Sequence, residues 1–212
     1  MRYDGIILDV DGTLWDSTNL VASAWNRALF DAGRPDCRVD SDLLKSLFGM
    51  TMKDIMKVIL PDEDDDKRDK VSALCFRYEN EMLSGDDYDI AYPGVTETIK
   101  KMSGQIPFFI VSNCQEGYIE ELIRRYSLKD YIRDFEDYGR TGLGKADNIK
   151  LIVSRNSLKC PVYAGDTAMD QKACRAAGIP FIFASYGFGT VKEDECDMVI
   201  DRFSELNGLL NQ

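Results

Sequence analysis

The 212-residue chain contains no histidine. That single absence removes Ser-His-Asp and Cys-His nucleophilic catalysis, HExxH zinc sites and imidazole acid–base chemistry together. Any catalysis must run on carboxylates, lysine, hydroxyls, thiols or a metal held by oxygen ligands. Long hydrophobic runs are missing as well, since no segment approaches the ~20 apolar residues that a membrane helix requires. The opening Met1-Arg2-Tyr3-Asp4-Gly5 enters an apolar run at once and lacks the architecture of a secretion signal, so a cytoplasmic location is expected. Positive charge is scarce: 26 Lys and Arg stand against 37 Asp and Glu, for a net charge of −11. Such a surface disfavours nucleic acid and anionic membranes, both of which are bound by neutralising phosphates. It also repels a phosphorylated metabolite at long range, so a phosphate site would need a local cation. The six cysteines (37, 75, 114, 160, 174 and 196) form no CxxC pair and no metal spacing, and are expected to be buried thiols in a reducing compartment.

What is present describes an ordinary globular protein, with 44% apolar and 30% charged residues. The length suits one large domain, or one domain with an insert, and needs no disulfide or metal to bury a core. Apolar runs at residues 5–10, 106–112, 161–165 and 180–184 are expected to be buried parallel strands, with weaker strands at 135–138 and 198–200. Helical periodicity at 95–102, 117–126, 146–155, 168–177 and 203–210 alternates with them. Alternation of this kind indicates a doubly wound, Rossmann-like α/β core with a mostly parallel sheet. Between residues 15 and 91 the alternation stops, and four helical patterns follow one another at 17–32, 40–48, 52–60 and 64–83. That stretch is expected to be an inserted all-helical domain, leaving residues 1–14 and 92–212 as the core. The insert carries 10 basic and 17 acidic residues, a charge of −7, against −4 for the rest. The acidic run 62–66 is expected to start a helix, where negative charge suits the helix dipole.

Four polar segments fall at or just beyond the expected strands, where open α/β sheets bind ligands. They are Asp9-Val10-Asp11-Gly12-Thr13, Ser112-Asn113, Gly142-Leu143-Gly144-Lys145 and Gly165-Asp166-Thr167-Ala168-Met169-Asp170. Each segment alone has a bland alternative: Asp-Gly is a turn pair, Ser112, Asn113, Asp166 and Asp170 are helix-cap types, and Lys145 is a solvated lysine. Thr13 either contacts phosphate or shapes the turn. Trp15 either lines the entrance or packs in the core. Cys114 sits beside the group with nothing to lower its pKa, so packing is its expected role.

Together, in this order, the segments resemble the motifs of the haloacid dehalogenase superfamily of phosphohydrolases. The likeness is to the subgroup with a helical cap after the first motif, as in phosphoglycolate phosphatases and β-phosphoglucomutases. The resemblance spans essentially the whole chain, and Tyr92-Pro93-Gly94-Val95, where the chain returns from the insert, is similar to the family pattern too. It implies a Mg²⁺-dependent phosphatase acting on a small phosphorylated metabolite. Asp9 would be the nucleophile, forming an aspartyl-phosphate, and Asp11 the acid and then the base, a job suited to a carboxyl of raised pKa. Asp9, Asp166 and the Asp11 carbonyl would hold Mg²⁺, with Asp170 behind them. Ser112, Lys145 and Asn113 would neutralise phosphoryl oxygens. In the cap, residues 48–53 look like the glycine-containing specificity loop, with Lys53 as the substrate-contacting cation. The chain departs from the family where Lys-Pro is common: here Lys145 precedes Ala146-Asp147, which leaves Lys150 as a competitor. The 21 residues from Lys145 to Asp166 suit one helix and one strand and favour Lys145. Two alternatives use similar parts. A phosphomutase usually relies on a cap histidine that this chain lacks, and a non-enzymatic phospho-aspartate switch would leave Asp11 and the insert without a purpose.

Overall fold

The computed structural model describes residues 3–85 and 88–211, so Met1 and Arg2 of the N-terminal reading lie outside the described residues. Six strands form one sheet: β1 (Gly5–Leu8), β2 (Phe108–Ser112), β3 (Ile132–Asp137), β4 (Pro161–Gly165), β5 (Phe181–Ala184) and β6 (Met198–Ile200). Their order is β3-β2-β1-β4-β5-β6 and every pairing is parallel, which is the doubly wound arrangement. The composition of the strands follows from burial. Every residue of β1, β2, β4 and β5 is buried, so these strands need apolar side chains on both faces. The edge strands are mixed: β3 exposes Arg133, and β6 half-exposes Met198 and Val199.

Two expectations are corrected here. β3 begins at Ile132, three residues earlier than its weak pattern indicated, because an edge strand tolerates polar residues such as Arg133 and Asp134. Tyr138, placed in that strand by the sequence pattern, instead opens a short helix, since the Asp137 carboxylate accepts the Arg140 backbone N–H at 2.8 Å. The final segment, Phe203–Asn211, is a 3₁₀ helix rather than an α-helix. Asn207 and Gly208 are poor α-formers, and the Asn207 side chain donates to the Ser204 carbonyl three residues back.

By contact, the chain divides into two compact units, Met1–Asp16 with Ile90–Gln212, and Ser17–Asp89. In the second unit, α1 (Thr18–Asp31), α2 (Ser41–Leu47), α3 (Met52–Ile59) and α4 (Asp65–Leu83) surround a core of Val21, Trp25, Ala28, Leu44, Met56 and Cys75. Asp40, Thr51 and Asp64 cap α2, α3 and α4 by accepting the amides of Leu43, Asp54 and Lys67. Asp64, Asp65 and Asp66 therefore do start a helix. In the first unit, α5 (Val95–Met102), α6 (Tyr118–Arg125), α7 (Tyr138–Thr141), α8 (Lys145–Arg155) and α9 (Ala168–Ala177) connect the strands.

The cysteines correct the burial expectation. Cys75 and Cys174 are buried, Cys37, Cys114 and Cys196 are partly buried, Cys160 is exposed, and all six are free thiols. No helix among the described residues is long and apolar enough to cross a membrane.

Candidate active site

Asp9 stands one residue past β1 and Asp166 one residue past β4, on the two strands where the sheet's winding reverses. The Asp9 amide donates to the Ala164 carbonyl at 2.9 Å, which ties its backbone to β4. Lys145 opens α8 and reaches back to the same place. Its Nζ lies 2.9 Å from Asp9 Oδ2 and 2.5 Å from Asp170 Oδ1, with all three side chains at most 4% exposed. One ligand oxygen each from Asp9, Asp166 and Asp170 falls within a 4.8 Å group. Four residues from three segments thus share one buried cluster. Lys150 does not join it: half-exposed, it pairs with Asp147 at 3.2 Å on its own helix.

The electrostatics follow from burial. Desolvation, then the negative charge of Asp170, push the Asp9 carboxyl well above its usual range, and Lys145 only partly offsets them. Asp166 is pushed up to about 7 by burial and by Asp170. Asp170 goes the other way. Burial opposes its charge, but the Lys145 ammonium and the Thr167 hydrogen bonds outweigh it and hold the carboxyl below its ordinary value. Burial likewise works against the charge on Lys145, yet Asp170 and Asp9 raise its pKa on balance. Fully ionised, the three carboxyls and the one ammonium would carry a formal charge of 1 − 3 = −2. Asp9 Oδ1 is buried and meets no hydrogen-bond partner among the described residues. A buried, oxygen-only donor set with surplus negative charge suits a hard divalent cation.

The structure excludes two helix-cap readings. Thr167, not Asp166, is the N-cap of α9; Asp170 completes its capping box by accepting from the Thr167 amide and hydroxyl at 2.9 and 2.6 Å. Asp166 is instead held by the Phe188 amide, which donates to its Oδ2 at 2.7 Å. The N-cap of α6 is Gly117, so neither Ser112 nor Asn113 serves there. Ser112 ends β2, is buried, and pairs in register with Asp137. Thr13 is fully buried, with its hydroxyl 3.5 Å from Asp166 Oδ1. Burial, then the charges of Asp137 and Asp11, push the Cys114 thiol far up, as a packing role requires. Lys53 belongs to the helical unit, where it is exposed and 4.0 Å from Asp65.

Gly187 and Tyr118 join the site without a signal in the sequence, and Gly12, Asp11 and Trp15 gain partners there. Gly12 has a positive φ of 79°, and a Cβ there would lie 2.1 Å from Asp166 Oδ2. A Cβ on Gly187 would lie 2.3 Å from Asp166 Cβ. Two glycines therefore let backbone press against one carboxylate. Asp11, partly exposed, accepts on a single oxygen from the Trp15 indole N–H at 3.0 Å and the Tyr118 hydroxyl at 2.8 Å. Trp15 is fully buried, which settles its placement as core. An aromatic residue after the first motif was a visible signal; Tyr118 carried none.

Comparison with known proteins adds a family. The model for haloacid dehalogenase-like hydrolases matches residues 6–184. A phosphoglycolate phosphatase of Nitrosospira multiformis is 25% identical over 220 residues, covering 98% of this chain and 95% of that protein. One from Photobacterium profundum is 26% identical over 222 residues, with 97% and 96% covered. Among solved structures, a protein from Haemophilus somnus described as a predicted phosphoglycolate phosphatase superposes with a TM-score of 0.86 at 18% identity, covering 100% of this chain and 99% of its own. A haloacid dehalogenase-like hydrolase from Streptococcus pneumoniae gives 0.81 at 17% identity, with 97% of each chain covered. At such identities the solved structures speak for the fold alone.

Proposed function

Because the chain belongs to the haloacid dehalogenase-like hydrolase family, we propose that it is a Mg²⁺-dependent phosphatase of a small phosphomonoester. The observation that carries this reading is Asp9: buried at a strand end, one oxygen on Lys145 and the other with no hydrogen-bond partner among the described residues. The Asp9 carboxylate attacks phosphorus, the bond to the ester oxygen breaks, and an aspartyl-phosphate forms. Asp11 gives its proton to the departing oxygen. It then takes a proton from water as that water attacks the aspartyl-phosphate, which releases orthophosphate and restores Asp9. Lys145, Ser112 and the Asn113 backbone stabilise the phosphoryl oxygens. Asp9, Asp166 and the Asp11 carbonyl would hold Mg²⁺, with Asp170 fixing Lys145 behind them; the ion supplies charge neutralisation for the phosphoryl oxygens. Lys53 is proposed as a substrate contact from the helical unit.

The curated relatives are phosphoglycolate phosphatases at 25 and 26% identity, so phosphoglycolate is the first substrate to offer. Purified protein with Mg²⁺ should release orthophosphate from it or from another member of a panel of phosphorylated metabolites. Asp9→Asn should lower turnover by on the order of 10³-fold or more. Unchanged turnover in that variant, or a long-lived phosphoprotein that never turns over, would count against a phosphatase; the second outcome would point to a signalling switch.

A further inference from the structure

From the two donors that converge on Asp11 Oδ1, we infer that Trp15 and Tyr118 are positioning residues that confine the acid–base proton of Asp11 to Oδ2. The inference rests on the reading of Asp11 as acid and base. An indole N–H donates and cannot accept. A hydrogen on the oxygen that receives Trp15 Nε1–H at 3.0 Å and Tyr118 O–H at 2.8 Å would fit only if the Tyr118 hydroxyl turned from donor to acceptor, since the indole hydrogen cannot turn away. Both donated bonds are kept only when the Asp11 proton sits on the other oxygen.

The clamp is built before any substrate arrives. Both rings are buried and meet edge to face, with centroids 5.1 Å apart and planes at 84°. The Trp15 backbone is tied into the loop of Asp11 itself: Gly12 N donates to the Trp15 carbonyl at 2.9 Å, and Trp15 N to the Val10 carbonyl at 3.3 Å. A bridge between Trp15 and Ala91 holds its other side. Tyr118 comes from the first turn of α6, 107 residues further along the chain. Two rigid aromatic donors from separate elements thus fix the rotation of one carboxyl. That is how a proton is delivered to a leaving oxygen without a search over rotamers. The step balances: as the ester oxygen leaves with its electron pair, the Oδ2 proton moves to it and Asp11 becomes a carboxylate, still held on Oδ1.

The test uses leaving groups. An alkoxide needs the proton, whereas p-nitrophenolate departs largely without it. The parameter kcat/KM ends at departure of the leaving group, so it isolates this step. General acid catalysis is worth about 10²–10⁴-fold, so losing one of two positioning bonds should be felt at about tenfold. In Tyr118→Phe, which keeps the ring, the ratio of kcat/KM for phosphoglycolate to that for p-nitrophenyl phosphate should fall about tenfold. An equal loss on both substrates would mean that Tyr118 only packs, and would overturn the inference while leaving the phosphatase reading intact. Release of orthophosphate by the wild-type protein neither from p-nitrophenyl phosphate nor from any member of the metabolite panel would defeat the reading and the inference together. A second measurement does not need activity. The chain has two tryptophans, and Trp25 donates to Glu79 within the helical unit. In Asp11→Ala, the indole N–H resonance of Trp15 should shift while that of Trp25 stays. An unmoved Trp15 resonance would overturn the inference.

Discussion

The helical unit keeps nearly all of its charge in water, whereas the α/β unit buries a lysine among three aspartates. In the helical unit, Arg27–Glu81 and Lys57–Asp54 are about half exposed or more, and the acidic run at the start of α4 serves as cap and first turn. Among the described residues of that unit, Glu79 is the buried charged one, bonded to Trp25. In the α/β unit, Asp9, Ser112, Lys145, Asp166 and Asp170 are all buried, and all lie at or beyond the carboxyl ends of the strands. A fold does not need that concentration, because desolvating charges is costly unless they are paired. One unit spends its acidic residues on helix ends and exposed pairs, and the other gathers three of them around one buried lysine.

The contrast can be broken most severely at Lys145. Lys145→Met leaves two buried carboxylates without their shared partner and should destabilise the protein by about 3–5 kcal/mol, measured by denaturant unfolding. A loss below about 1 kcal/mol would mean that the cluster is far wetter than its burial indicates. Next comes Asp166, whose carboxyl is held up to about 7 against an ordinary 3.8. Between those values the folded protein keeps a proton that the unfolded chain has released. The stability this contributes is complete at acid pH and is lost as pH rises through about 7, with a slope of at most about 1.4 kcal/mol per pH unit. In metal-free protein, Asp166→Asn should flatten that part of the stability curve, and added Mg²⁺ should offset the loss in the wild type. Equal pH slopes in variant and wild type would contradict this.

Much of the comparison was legible beforehand, for identifiable reasons. The four buried strands announce themselves as continuous apolar runs, Lys145 and Asp166 each follow a glycine, and Asp9 ends an apolar run, so local chemistry is informative at all three. What was hidden depends on distance through the chain. Tyr118 has an ordinary helical setting, and its bond to Asp11 is created by folding. The Gly187–Phe188 turn that grips Asp166 looks like any loop. β3 was read too short because edge position, which excuses Arg133 and Asp134, is a property of the sheet and not of the segment. The same limit made Asp166 a rival for the cap that Thr167 forms.

Two smaller effects sharpen the contrast inside the helical unit. Trp25→Phe removes the 2.7 Å bond to buried Glu79 and should cost about 1–3 kcal/mol, seen as a lower thermal midpoint. Lys57→Ala removes an ion pair in which both partners are about half exposed, and should change stability by less than about 0.5 kcal/mol and less still at high salt. If the two variants proved equal in effect, burial would not be the variable that separates the interactions.

The position of β1 has a consequence for how the protein is made. The strand that leads to Asp9 is translated before both of its sheet neighbours, which begin at Phe108 and Pro161, about a hundred and about a hundred and fifty residues later. Until those segments leave the ribosome, Ile6, Ile7 and Leu8 have nothing to pair with, and such long-range closures are slow and exposed to aggregation. Residues 17–89 close on local contacts and can order in the interval. Birth order and assembly order thus run in opposite directions, and β1 is clasped on both sides only once most of the polypeptide exists.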